Sequence, residues 1–305
     1  MKSLALTVLV HEGPMARSYL GLLQTAGYRV EHVILMVQRR DPARHRLIAP
    51  WLPEVVRRPL ARTVQDMRMN HWSREFMRSH ASLCQPWLNA LAQAYRFDPA
   101  VYRHLTERPD YSKYSDHVEE VFIDGLNDPV LAQYLDRMPG RRAILFTGGG
   151  MVPTSLLDTP QRRFIHVHPG VLPHVRGADG LLWSLLLRGR PGATAFYMSP
   201  GLDTGDIILA SDLTVPPVPE GFNKLDGTLA YRLLYSFVDP ILRAVLLLDV
   251  VSRAREDLSN LPTMPQSESE GTTFHFMNAR LRRFTFDRLQ ALATASGAIH
   301  ATAEA

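Results

Sequence analysis

The opening strand-helix-strand pattern constrains this chain more than anything that follows it. Residues 4–10, Leu-Ala-Leu-Thr-Val-Leu-Val, form a short apolar run that the turn His11-Glu-Gly-Pro14 stops. An amphipathic helical pattern covers 15–24, Thr25-Ala-Gly-Tyr28 closes it, and 30–37 is apolar again. Segments in this order join through a right-handed crossover into a parallel sheet, so the fold class is α/β with a ligand expected at the carboxyl ends of the strands. The first turn lacks a complete G-x-G-x-x-G, and no dinucleotide is predicted.

Between 38 and 115 the period becomes helical. Leu60, Val64, Met67, Trp72 and Phe76 recur at helical intervals, as do Trp87, Leu88, Leu91, Ala92 and Tyr95, and two or three amphipathic helices are predicted. Residues 39–78 hold ten arginines against four acidic residues. They read either as a solvated helix face or as a lid that grips a phosphate or carboxylate through guanidinium forks. Strand patterns return at 118–124 and 142–147, separated by a helix that Asp128-Pro129 begins. The second of these strands runs into Gly148-Gly-Gly-Met-Val-Pro153, whose glycines let a backbone approach a ligand closely.

The chemistry-bearing residues gather in one stretch, Phe164-Ile-His-Val-His-Pro-Gly-Val-Leu-Pro-His-Val-Arg-Gly177, and in Gly201-Leu-Asp-Thr-Gly-Asp-Ile-Ile208. The first reads as a buried strand stopped by Pro169 and Pro173. Side chains alternate across a strand, so His166 and His168 share a face. Asp203 supplies a carboxylate that can orient an imidazole and hold its proton, an arrangement that serves acid/base and oxyanion chemistry. A helix is predicted over 180–188, strands at 194–198 and through 214–215, and a helix over 228–248 that Pro240 kinks. Beyond 260 the chain turns Pro/Ser/Glu-rich, then alternates over 273–277, suggesting a hairpin arm and a terminal helix.

The stretch resembles the folate-dependent formyltransferases, including the methionyl-tRNA, glycinamide ribonucleotide and sugar-nucleotide enzymes. That family carries Asn-x-His-Pro-Ser-x-Leu-Pro-x-x-x-Gly, then Gly-x-Thr, then Asp-x-Gly-x-Ile. They correspond here to His166-Val-His168-Pro169-Gly-Val-Leu172-Pro173 with Gly177, to Gly192-Ala-Thr194, and to Asp203-Thr-Gly205-Asp-Ile207. Pro265-Gln266, Gly271 and Phe274 continue the likeness.

The resemblance implies a Rossmann-like formyltransferase core over 1–255 with a helical insertion at about 39–115, followed by a short extension over 256–305 with the hairpin arm. It implies 10-formyltetrahydrofolate as co-substrate, transfer to the amine of a small-molecule acceptor, and catalysis by His166, His168 and Asp203. Gly150, Met151, Val152, Gly201 and Leu202 would line the folate pocket, and Gly13 either approaches the acceptor or makes a tight turn. In the family the position of His166 is an asparagine that donates to the formyl oxygen; imidazole can still donate through a ring N–H. The alternatives are a formyltetrahydrofolate hydrolase, a descendant using another acyl donor, or a folate-binding protein without catalysis.

Composition sets the remaining bounds. With 46% apolar and 21% charged residues the chain reads as globular, and no apolar run approaches a membrane span. A cytoplasmic location follows as the expectation. The net charge of +4 does not call for nucleic acid, and fewer residues follow 260 than the complete C-terminal barrel of the tRNA enzymes needs. The single cysteine, Cys84, excludes an intrachain disulfide. No metal ligand set is found in the sequence, since His71 and His80 lack the helical spacing for one. An aromatic arm such as 274–286 could pair two subunits into a homodimer.

Overall fold

In the computed structural model, which describes residues 1–303 apart from 158, 160, 255 and 256, the opening pattern becomes β1 (Lys2–Val10), α1 (Pro14–Thr25) and β2 (Tyr28–Gln38). Pro14 stands in the first turn of α1, where a missing N–H leaves no bond unmade. β2 pairs parallel with β1, as a strand reached through a helix must.

The interval 39–115 holds four helices, not two or three: α2 (Glu54–Met69), α3 (His71–Ser79), α4 (Ala81–Tyr95) and α5 (Val101–Thr106). The extra break comes at Asn70 and His80, whose backbones leave helical geometry (φ −107° and −133°) and divide what the apolar period alone reads as continuous. β3 (His117–Ile123), α6 (Pro129–Asp136), β4 (Arg142–Phe146), α7 (Thr154–Leu157) and β5 (Arg162–His168) complete a five-stranded parallel region. Then β6 (Val175–Gly177) and α8 (Gly180–Arg188) lead into β7 (Gly192–Tyr197), which runs antiparallel to β5, and β8 (Ile207–Asp212), which runs antiparallel to β7. The order across the seven strands is β3-β2-β1-β4-β5-β7-β8. It reverses between β1 and β4, the position where open α/β sheets leave a crevice.

β8 ends before Thr214, so the strand expected through 214–215 is loop, and Pro216 and Pro217, without N–H groups, follow at once. The long helix expected over 228–248 is two helices, α9 (Gly227–Leu233) and α10 (Asp239–Arg253), joined by a π-turn over Leu234–Val238. The wider turn comes just before Pro240, which cannot donate to a carbonyl one turn back. In place of a hairpin arm, β9 (Thr272–Phe274) pairs parallel with β6. Parallel partners cannot be joined by a tight turn, so this segment returns from far along the chain. α11 (Ala279–Ala303) closes the order. The boundary expected between 255 and 256 lies outside the described residues.

Both faces of the sheet are covered. Val8, Val33, Leu35 and Val167 pack with Leu20 of α1 and Ile241 of α10, while Leu9, Ile34, Phe146 and Phe164 pack with Leu131 of α6 and Leu156 of α7. Strands buried on both sides read as unbroken apolar runs, which explains the strong signal of 4–10 and 30–37. Cys84 is buried on α4, and burial pushes its thiol up to about 11, which leaves it inert. Among the described residues, no helix is long and apolar enough to cross a membrane.

Candidate active site

β5 outruns its neighbour. Its ladder with β4 ends at Leu145↔Ile165, and beyond that point His166, Val167 and His168 pair with β7 alone. Two imidazoles therefore stand on one face at the carboxyl end of the sheet, both buried (8% and 2% exposed). Pro169 and Gly170 turn the chain away. Thr194 of β7 fastens that turn, donating to the Gly170 carbonyl at 2.7 Å and accepting from the Leu172 N–H at 3.0 Å. Glycine is required beside the second ring: a Cβ on Gly170 or Gly180 would lie 3.0 or 3.2 Å from His168 Nε2.

The ring partners assign the protons. His166 Nδ1 lies 3.2 Å from the Phe146 carbonyl, which can only accept, so the neutral ring carries its hydrogen there and leaves Nε2 as a lone pair. Burial first, then the Arg243 charge, push this imidazole down to about 4. The ring N–H expected to hold a formyl oxygen in place of an amide is thus committed to Phe146; at neutral pH the free nitrogen is a base. His168 Nε2 sits 2.8 Å from the Val175 carbonyl, while Nδ1 faces Asp203 Oδ2 at 3.4 Å. Burial lowers this ring too, against the pull of Asp203. Acceptors on both nitrogens give His168 a ready place for a second proton.

Asp203 is held in a left-handed conformation (φ 53°) between Gly201 and Gly205. Its Oδ2 accepts from the Gly177 N–H at 2.7 Å. Gly205 has φ 111°, and a Cβ there would meet the Tyr197 carbonyl at 2.0 Å. Gln266 clamps the turn from a distant part of the chain, donating to the carbonyls of Asp203 (3.3 Å) and Gly205 (2.6 Å), and Arg176 binds its Oε1 at 3.2 Å.

A cleft of about 210 Å³ opens where the strand order reverses. His11, Glu12 and Gly13 line it from the end of β1, Thr147 to Gly149 from the end of β4, Met69 from α2 and Arg243 from α10. Gly13 is therefore a cleft residue. Gly150 lies just past this wall in a left-handed conformation (φ 88°), Met151 projects into solvent and Val152 packs into the α6–α7 layer. Gly201 and Leu202 stay with the Asp203 turn. The cleft and the histidines meet through Arg243, whose Nη1 donates to the Val167 carbonyl at 3.0 Å, and through Thr147, which follows the Phe146 partner of His166.

Two features escape a reading by spacing. Asp239 and Arg243 have the i, i+4 separation of a surface pair, yet Asp239 is buried and the Arg243 side chain is largely enclosed. Behind Gly13, Glu12 accepts from Arg17 Nε (2.8 Å), Asn70 Nδ2 (3.0 Å) and Tyr111 OH (2.6 Å), while Asp66 pairs with Arg17 and with Arg74 at 2.8 Å. The network bolts α2 and α3 to the end of β1. Half of the ten arginines answer the insertion's own carboxylates: Arg39 and Arg58 pair with Glu54, Arg68 with Asp41, Arg74 with Asp66 and Arg78 with Glu75, while Arg40 and Arg62 reach Asp124 and Glu120. That is the pattern of a paired face. Among the described residues no group of three or more His, Cys, Asp or Glu could hold a metal ion.

Residues 126–225, which contain His166, His168 and Asp203, match the family model described as formyl transferase. The methionyl-tRNA formyltransferase of Syntrophus aciditrophicus is 36% identical over 146 residues, covering 48% of this chain and 43% of that protein. The cytosolic 10-formyltetrahydrofolate dehydrogenase of Xenopus tropicalis is 39% identical over 67 residues, 22% of this chain and 7% of that protein. The chain thus spans less than half the length of either relative. Among solved structures, a 4-N formyltransferase from Francisella tularensis overlaps 94% of this chain and 87% of its own at a TM-score of 0.41 and 10% identity.

Proposed function

We propose that this chain, whose residues 126–225 match the formyl transferase family model and carry both histidines and Asp203, transfers the formyl group of 10-formyltetrahydrofolate to the amine of a small-molecule acceptor. The observation that carries this reading is the His168–Asp203 pair at the end of β5, with His166 beside it and an open cleft alongside. The amine nitrogen attacks the formyl carbon, and the C–N bond to N10 of the folate breaks. The new amide keeps the formyl group, and the proton lost by the amine is balanced by one gained at N10. His166 Nε2, an uncharged base, takes the proton from the amine. His168, with Asp203 behind Nδ1, would exchange the Val175 carbonyl for the formyl oxygen at Nε2 and hold the charge that builds and collapses there.

Gly150 to Val152 and the Gly201-Leu202 backbone would seat the folate ring, and the cleft around Gly13 would take the amine end of the acceptor. A space of about 210 Å³ suits a small amine. A second reading, hydrolysis of the formyl donor, draws on the same free base, since His166 Nε2 can deprotonate water as well as an amine.

Calorimetry with a stable 10-formylfolate analogue tests the donor, and formate release with and without added amines separates the two readings. Micromolar binding is expected, together with amine-dependent loss of formyl donor that falls about 10²–10⁴-fold in Asp203→Asn. No binding to the wild-type protein would end the folate reading. Formate release indifferent to amines would favour the hydrolase, and formylation of methionyl-tRNA alone would replace the small acceptor.

A further inference from the structure

We infer that Arg243 is a positioning residue of this site: held by Asp239, it fixes the free end of β5 through the Val167 carbonyl and presents a permanent positive charge to the cleft. Three observations converge on it. The guanidinium is gripped from below, with Nε and Nη2 at 3.1 and 2.9 Å from Asp239 Oδ2. Its remaining arm, Nη1, reaches the carbonyl of the residue between the two histidines at 3.0 Å, past the last pairing of β4 with β5. Its side chain is 14% exposed and forms part of the cleft wall.

A guanidinium does not titrate, so the charge is present at every working pH. Around it stand Tyr19 from α1, Tyr235 from the π-turn and Asp239 from α10, while His166 and His168, with Asp203 beyond them, lie on the sheet side. His11 and Glu12 share the cleft. Burial disfavours charge on either ring first, and a fixed cation at this place adds to it, helping to hold His166 and His168 in the uncharged form that accepts a proton. The same charge meets the negative charge that gathers on oxygen when an amine attacks a formyl carbon. This last role rests on the proposed transfer; the positioning does not.

The test is titration of the histidine rings by NMR in the intact wild-type protein and in Arg243→Lys and Arg243→Met, with thermal unfolding alongside. In Arg243→Met both rings should titrate about one pH unit higher, while Arg243→Lys, which keeps the charge but not the fork, should stay near wild type. With the formyl donor, kcat should fall at least about tenfold in Arg243→Met with an unchanged donor KM, and Lys should restore part of it. Unchanged ring titration in a folded Arg243→Met would overturn the inference. If that variant does not fold, Asp239→Asn decides: it leaves the cation uncompensated and should move both rings lower, and no movement would overturn the inference as well. Shifted rings in a protein that transfers no formyl group would refute the transfer and leave the positioning standing.

Discussion

Gly205 shows how little freedom the site leaves a single residue. Its φ of 111° and the Tyr197 carbonyl 2.0 Å from any added Cβ forbid a side chain there. Gly205→Ala should cost about 1–3 kcal/mol from backbone strain alone, before the clash is counted, and should displace Asp203; thermal unfolding reads the first and amine-dependent turnover the second. His166 makes the protein sensitive to acid. Its folded value of about 4 lies below the 6.5 of an unfolded chain, so the unfolded state binds the proton first. Stability is therefore complete above pH 6.5 and falls as pH drops toward 4, by on the order of 3 kcal/mol for this ring. Denaturant unfolding across that range should show the loss, and His166→Asn should reduce it. That both rings share a face was legible from their spacing of two. Which nitrogen carries the proton was not, because the deciding carbonyls, Phe146 and Val175, belong to other segments.

At the scale of elements, short loops are held by side chains that act as cross-ties. Thr194 serves an N–H and a carbonyl of the 170–172 turn at once, and Thr194→Val keeps its shape while leaving both unpaired. The expected cost is about 1–3 kcal/mol, read as a lower Tm, with the Pro169–Gly170 turn loosened next to His168. Gln266→Ala removes two bonds to the Asp203 turn. It should lower turnover more than stability, because the turn is exposed while the carboxylate it aims is not. Strands and helices with a strong period were readable: β1, β2 and β5, and the helical character of the insertion. The failures have local causes that periodicity does not carry. A π-turn absorbs Pro240 where a kink was expected, and β9 pairs with a strand far back in the chain where alternation suggested a hairpin.

At the scale of the molecule, the insertion belongs to the body. Glu12, Arg17, Asp66, Asn70, Arg74 and Tyr111 join β1, α1, α2, α3 and the segment before β3 in one buried network. A buried pair that loses one member leaves an uncompensated charge, so Asp66→Ala should cost about 3–5 kcal/mol. The wild-type chain should unfold in a single calorimetric transition, and the variant should show the insertion exchanging its amide hydrogens ahead of the sheet. The parallel start of the sheet follows from the opening pattern. Its order, and the reversal of direction at β7, do not, because no local period records on which side a crossover lands.

The clamp on Asp203 also has a consequence in time. Gln266 lies 61 residues beyond the Gly205 carbonyl it holds, and β9 comes later still. A chain emerging from the ribosome can close its seven-stranded sheet well before either arrives, since domains form from the amino end onward. The carboxylate is aimed at His168 only once Gln266 has emerged, so a chain cut short of it keeps the sheet and has no finished site to misuse.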